Sequence, residues 1–265
     1  MASELLVPPA TEGTTIVAVT PELAGWTYVG FEALRLAEGE TAARDTGERE
    51  LCVVVIAGHA DVGEWTGLGS RATPFEGAPD AAYLPPGSSV TVRGGAGGAE
   101  IGLCWAPAPS GGASARVLPG SEIEPETRGT GTMTRTIHNI LMSGREAERL
   151  LVTEVQTPAG HWSSYPPHRH ERDAPPEETL LEETYYHRVD PAHGFVVQRV
   201  YTDDRELDEA LVARDRDTVL VPRGYHPVGV PPGYRSYYLN VMAGPRRAWQ
   251  FHNDPDHAWL MAGPP

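Results

Sequence analysis

Apolar and β-branched residues fall in short runs along this chain, broken by turns rich in Gly, Pro, Asp and Ser, and this texture predicts strands rather than helices. A first set covers 14–19, 28–36 and, past a polar loop over 37–50, Leu51–Ile56. Gly58 and Gly63 punctuate a hairpin, and 82–84, 89–92 and 100–105 continue the rhythm. Residues 1–13 read as a loose or docked tail, and 106–131, rich in Pro, Gly, Ser and Ala, as a linker. A second set follows at 151–156, 163–170, 180–188, 195–202, 218–221 and 237–242, with a short helical turn expected over 144–152. The one clear helix candidate is Asp204–Ala213. Many short strands at roughly 8–12-residue spacing predict an all-β sandwich or barrel.

The two sets look like diverged copies. Leu51–Ile56 parallels Leu180–Arg188, and Leu84-Pro-Pro-Gly87 parallels Val221-Pro-Arg-Gly224. We therefore expect two domains, 1–115 and 116–265.

Composition sharpens this picture. Gly and Pro make up 54 of 265 residues, which favours strands and turns over long helices. The formal net charge of −15 argues against nucleic acid as a partner, because neutralising phosphates requires an excess of Lys and Arg. An anionic small substrate needs local arginines working against that field. The two cysteines, Cys52 and Cys104, form no metal or redox motif, no apolar stretch approaches membrane-spanning length, and no leader is evident. A cytoplasmic protein with buried, reduced thiols is the expectation.

The candidate chemistry lies in the second half. His168 and His170 are one pleat apart and point the same way on a strand, so two imidazoles can share one ion. On 181–187, alternation sets Leu181, Glu183, Tyr185 and His187 against Glu182, Thr184 and Tyr186. Glu183 is taken as a ligand, with Glu182 as the alternative. His226 follows an apolar run and a Pro222-Arg-Gly224 turn that delivers it at a strand end. Three histidines and a carboxylate suit one divalent ion: Zn or Mn first, then Fe, Co or Ni. The first half has no histidine at either matching place, Glu38–Asp45 or Ser88–Val90, so a single site is expected.

His168-x-His170, a later Glu183, and His226 after Pro-x-Gly resemble the two cupin motifs, and two such halves make a bicupin of jelly-roll barrels. Longer strings resemble one family, 5-deoxy-glucuronate isomerase of myo-inositol catabolism, related to the 5-keto-4-deoxyuronate isomerases. They are Ser163–His170, Leu181–Tyr186, Gln198–Asp204, Val221–Val228, Tyr237–Gly244 and Trp249–Trp259. The likeness is dense over 160–260 and mainly one of arrangement over 14–110. One departure is that Glu183 follows His170 by thirteen residues, across an acidic, Pro-containing insertion.

The resemblance implies a metal-dependent aldose–ketose isomerase that converts 5-deoxy-D-glucuronate to 5-dehydro-2-deoxy-D-gluconate. Its partner is a small sugar acid, with neither nucleic acid nor membrane, and a homo-oligomer is the default on general grounds. Tyr185, Tyr201 and Tyr238 are the candidate proton-transfer residues, and a metal-bound hydroxide is the alternative. Arg199 is the first choice to meet the substrate carboxylate, then Arg235 and Arg246. The surplus histidines 161, 187, 252 and 257 carry no assigned role, and Trp249–Trp259 is expected to fold back over a barrel or into a subunit contact. An iron-dependent cupin dioxygenase and a non-catalytic sugar-acid-binding bicupin are the competing readings.

Overall fold

A computed structural model describes residues 3–262. The strands in chain order are β1 Leu6–Val7, β2 Thr15–Val19, β3 Gly30–Leu36, β4 Thr41–Asp45, β5 Arg49–Val62, β6 Trp65–Leu68, β7 Ala81–Leu84, β8 Ser89–Pro107, β9 Arg116–Leu118, β10 Pro125–Arg128 and β11 Arg135–Leu141. The remainder are β12 Leu151–Thr157, β13 Trp162–Ser163, β14 His168–Arg169, β15 Glu182–Asp190, β16 Phe195–Tyr201, β17 Asp208–Arg214, β18 Thr218–Val221, β19 Val228–Gly229, β20 Arg235–Ala243 and β21 His252–Asn253.

The N-terminal sheet runs β2-β3-β8-β5-β7-β9, with β4 on β8 and β6 on β5. β5 and β8 are long enough to bend and serve both walls of a barrel. The bend falls at register shifts around Val55–Ala60. Gly58 takes φ +81° there, and a Cβ would sit 2.2 Å from the Gly98 carbonyl oxygen, so only glycine fits. Leu34, Leu36, Leu51, Val53, Val55 and Leu103 fill the interior and are fully or almost fully buried. Each contributes about 1.5–3 kcal/mol relative to exposure.

In the C-terminal half a seven-stranded sheet, β1-β18-β15-β20-β12-β11-β10, packs on a four-stranded sheet, β13-β19-β16-β17. β14 and β21 form a separate pair. Val54, Ile56 and Cys104 of the first half pack with Tyr186, Leu239 and Val241 of the second, so the two barrels share a core. Both cysteines are free and buried within it, and burial pushes the Cys52 thiol up to about 12.

The registers repeat between the halves. Leu51 pairs with Leu84, three residues before Gly87, and Glu183 pairs with Val221, three residues before Gly224. Glu50 and Glu182 thus occupy matching places, and each carboxylate clamps the other half. Glu182 accepts the amides of Thr27, Tyr28 and Val29, while Glu50 accepts those of Glu148, Arg149 and Leu150.

Several local expectations are corrected. Asp204–Ala213 is not a helix. The Asp204 carboxylate accepts from the Thr202 hydroxyl and the Glu206 amide and closes a turn, and Asp208–Arg214 then pairs along the full length of β16. A partner strand overrides the helix-forming composition. Residues 144–150 make a turn and bends without a helix, because three of their amides are spent on Glu50. The polar loop over 37–50 contains β4. The segment 106–131 carries β9, which pairs with β7, and β10, which pairs with β11. The tail is docked, since β1 pairs with β18 in the opposite half. The strand expected over 163–170 is broken, leaving β13 and β14 as two-residue pieces. No helix among the described residues is long and apolar enough to cross a membrane.

Candidate metal centre and cavity

Alternation on β15 turns Glu183, Tyr185 and His187 into the C-terminal barrel and Glu182, Thr184 and Tyr186 away from it. Glu182 points away from the interior with its carboxylate held by three amides, which leaves Glu183 as the acidic group there. Oε2 of Glu183 accepts from the Tyr185 hydroxyl at 3.0 Å and from Asn240 Nδ2 at 3.1 Å. Its Oε1 has no hydrogen bond.

Three histidines gather beside that oxygen from two segments. The short β14 presents His168, and His170 follows it. His226 arrives through the turn at Gly224, where φ is +87° and a Cβ would meet the Tyr201 carbonyl oxygen at 2.5 Å. Facing nitrogens of His168, His170 and His226 lie within 4.8 Å of one another. Nε2 of His170 and of His226 lie 3.5 and 3.7 Å from Glu183 Oε1.

Carbonyls behind the rings set their orientation. Nδ1 of His170 donates to Gln250 O at 3.1 Å, and Nδ1 of His226 donates to Gly224 O at 3.0 Å. Each ring therefore offers an Nε2 lone pair to the centre, and both Nε2 atoms are buried without a hydrogen-bond partner. Burial holds His170 below its ordinary pKa; burial, with His226 and His170 alongside, holds His168 well below. The close approach of His170 to Glu183 is thus lone pair facing lone pair rather than an ion pair. Two imidazole nitrogens and a carboxylate oxygen, buried, unpartnered and aimed at one point beside a third imidazole, form a donor set that fits a divalent cation.

This cluster forms part of the wall of a cavity of about 430 Å³. Trp249 and Phe251 close one side, with Phe251 4.9 Å from the His168 ring, and β21 pairs with β14 beside them. The tail thus folds back over the barrel, while His252 is exposed on its outer side. Tyr185 and Tyr238 enter the cavity with ring centroids 4.8 Å apart, and both hydroxyls lie 3.3 Å from Ser164 Oγ. Burial raises both phenol pKa values, Tyr185 further because Glu183 is adjacent, so both hydroxyls stay protonated as donors.

Other expected residues lie elsewhere. Tyr201 is outside the cavity and donates to Asp254 Oδ2 at 2.6 Å. Arg199 is paired with Asp208 at 2.7 Å on the outer face of β16, Arg235 with Asp190, and Arg246 with Asp173. None of these arginines lines the cavity, because each had a carboxylate partner at the surface. Two arginines do line it: Arg128, held by Glu126, and Arg135, which shares a face of β11 with Ile137 and Asn139. Sequence reasoning passed over Arg135 because it directly follows the linker. Period-two alternation over 135–139 was the available signal.

The KduI/IolB family profile matches residues 5–260. The chain belongs to the KduI/IolB family. Among its relatives, a 5-deoxy-glucuronate isomerase of Geobacillus kaustophilus is 50% identical over 98% of this chain and 96% of that protein. One of Bacillus subtilis strain 168 is 44% identical, covering 92% and 91%. An IolB-like protein of Salmonella typhimurium superimposes with a TM-score of 0.94 at 43% identity, covering 98% of this chain and all of that one. Oxalate decarboxylase of Lactobacillus farciminis, at 13% identity and a TM-score of 0.66 over all of this chain, shares the fold alone. The KduI/IolB architecture is thus an all-β, two-barrel cupin arrangement.

Proposed function

We propose that this KduI/IolB protein is a metal-dependent aldose–ketose isomerase acting on 5-deoxy-D-glucuronate and yielding 5-dehydro-2-deoxy-D-gluconate in inositol catabolism. The observation that carries the reading is the unpartnered Nε2 atoms of His170 and His226 and Oε1 of Glu183, aimed at one point on the wall of a cavity sized for a sugar. It is supported by half-identical relatives that bear the isomerase name.

On this reading His168, His170, Glu183 and His226 hold one divalent ion, with Zn or Mn favoured. Bound there, the ion supplies Lewis-acid polarisation of a carbonyl and its neighbouring hydroxyl. Tyr238, protonated and linked through Ser164 to Tyr185, donates to a sugar oxygen on which charge develops as a proton moves between adjacent carbons. Asn240 and Tyr185 fix the Glu183 carboxylate. The aromatic wall of Trp249 and Phe251 limits water. Residues 116–265 carry the chemistry, and 1–115 serve as the scaffold that buries their outer face. Two buried, reduced thiols agree with a cytoplasmic enzyme.

The test is to strip metal, restore Zn²⁺, Mn²⁺, Fe²⁺, Co²⁺ or Ni²⁺ singly, and follow 5-deoxy-glucuronate by NMR without oxygen. Metal-dependent ketone formation, lost in His226→Ala, is expected. A folded, metal-loaded protein that converts nothing with any of the five sinks the assignment, and oxygen consumption in air then points to a dioxygenase.

A further inference from the structure

Arg135 lies partly buried at the head of β11 and faces the cavity. Its Nη1 donates to the carbonyls of Met133 at 3.0 Å and Tyr165 at 3.1 Å, which fixes the guanidinium plane. Among the described residues no carboxylate lies within 4.0 Å of it, and its Nε and Nη2 make no hydrogen bond. The acidic group nearby, Glu126, is already taken: Arg128 grips it through bonds of 2.6 and 2.8 Å, and Asn139 adds a third at 3.0 Å.

Two other arginines drawn out of water show what is missing. Arg71 meets Glu154 through two 2.8 Å bonds. Arg247 spends its donors on the carbonyls of Leu141, Met142 and Leu150. A guanidinium does not shed its proton at any physiological pH, so an arginine placed in a cavity wall with two of its nitrogens uncommitted holds a standing positive charge. Arg128, stacked 4.8 Å from the Trp249 ring, lines the same wall, but Glu126 already balances its charge, so the unpaired cation of the wall is Arg135. Parallel N–H groups on one edge of a guanidinium match the two oxygens of a carboxylate.

We propose that Arg135 is the carboxylate anchor of the cavity. It takes the acid end of the ligand in a forked contact through Nε and Nη2, and so sets the opposite end of the sugar chain against His168 and Glu183. This rests on the sugar-acid reading above and explains why a uronate would be chosen over a neutral aldose of the same length.

Arg135→Gln, Arg135→Lys and Arg199→Gln, each metal-loaded, are titrated with D-gluconate as an unreactive sugar acid and assayed with 5-deoxy-glucuronate. Removing a charge-assisted forked contact is expected to weaken gluconate binding and raise KM by about 10²-fold, with kcat changing far less. Arg135→Lys should recover part of the loss, which a merely structural role would not allow, and Arg199→Gln should match the unmodified protein. A folded, metal-loaded Arg135→Gln that binds gluconate as the unmodified protein does, or a larger loss in Arg199→Gln, overturns the anchor. If gluconate binding depends on Arg135 but 5-deoxy-glucuronate is not converted, the anchor stands and the isomerase reading falls.

Discussion

The two barrels are built from the same strand plan, and the register lets them be compared residue by residue. Leu51, Val53 and Val55 of β5 occupy the places of Glu183, Tyr185 and His187 on β15. The first trio is fully buried and apolar and fills its barrel. The second carries acceptors and hydroxyls and borders a cavity. Backbone geometry therefore does not decide which barrel has chemistry; the side chains on one face of one strand do. Stability and function are divided accordingly. The N-terminal interior is packed like any core, while the C-terminal interior keeps unpartnered polar atoms that cost stability unless a ligand or ion meets them.

Exchanging these residues tests the comparison most severely. Glu183→Leu gives the second barrel the residue of the first. We expect metal content to collapse and kcat to fall by about 10³-fold or more, while the melting temperature of the metal-free protein holds or rises, since an unpaired buried carboxylate is gone. The reverse exchange, Leu51→Glu, buries a carboxylate among aliphatic groups and should destabilise folding by ~3–5 kcal/mol in urea titration. Equal stability of the two variants would mean that the barrels do not differ as described.

The adjacent clamps should give a smaller effect, and a matched one. Glu50→Ala and Glu182→Ala each free three backbone amides and should each cost about 3 kcal/mol. They should differ in activity: Glu182→Ala also loosens the strand that carries Glu183, whereas Glu50→Ala acts only through stability. Similar losses of kcat in both would remove the distinction between scaffold and site.

The smallest effect expected is a pH dependence. His187 is fully buried against Gln198, and burial lowers its pKa to about 4. In the unfolded chain it titrates near 6.5. Between those values the unfolded state binds the extra proton, so this residue's contribution to stability is complete above about pH 6.5 and is lost as pH falls toward 4. For metal-free protein we expect the loss of stability between pH 7 and pH 5 to be smaller by about 2 kcal/mol in His187→Gln, the remainder coming from His168 and His170. Val55, at the matching place in the first barrel, has nothing to titrate.

Much of this could be read from the sequence because strand alternation and Pro-x-Gly turns are local signals. His168, His170, Glu183 and His226 were found by spacing, and the structure brings them together. What escaped depended on partners distant in sequence. Arg199 and Arg135 look alike in the chain; Asp208 on a neighbouring strand holds one at the surface, and the absence of such a partner leaves the other facing the cavity. Asp204–Ala213 has helix-like composition, and only its pairing with β16 makes it a strand. Nothing local separates Glu182 from Glu183; the amides at 27–29 that hold Glu182 are contributed by the other half of the molecule.

β1 has a consequence for synthesis. Leu6 and Val7 leave the ribosome long before their partners, Val219 and Thr218, which lie more than two hundred residues further along the chain. The edge of the sheet leading to His226 therefore depends on a long-range pairing that cannot form until β18 has been made. A bulky insertion beside β1 would slow that pairing, so an added tag is better placed away from both β1 and the aromatic wall of Trp249 and Phe251, in the exposed turn near Gly111.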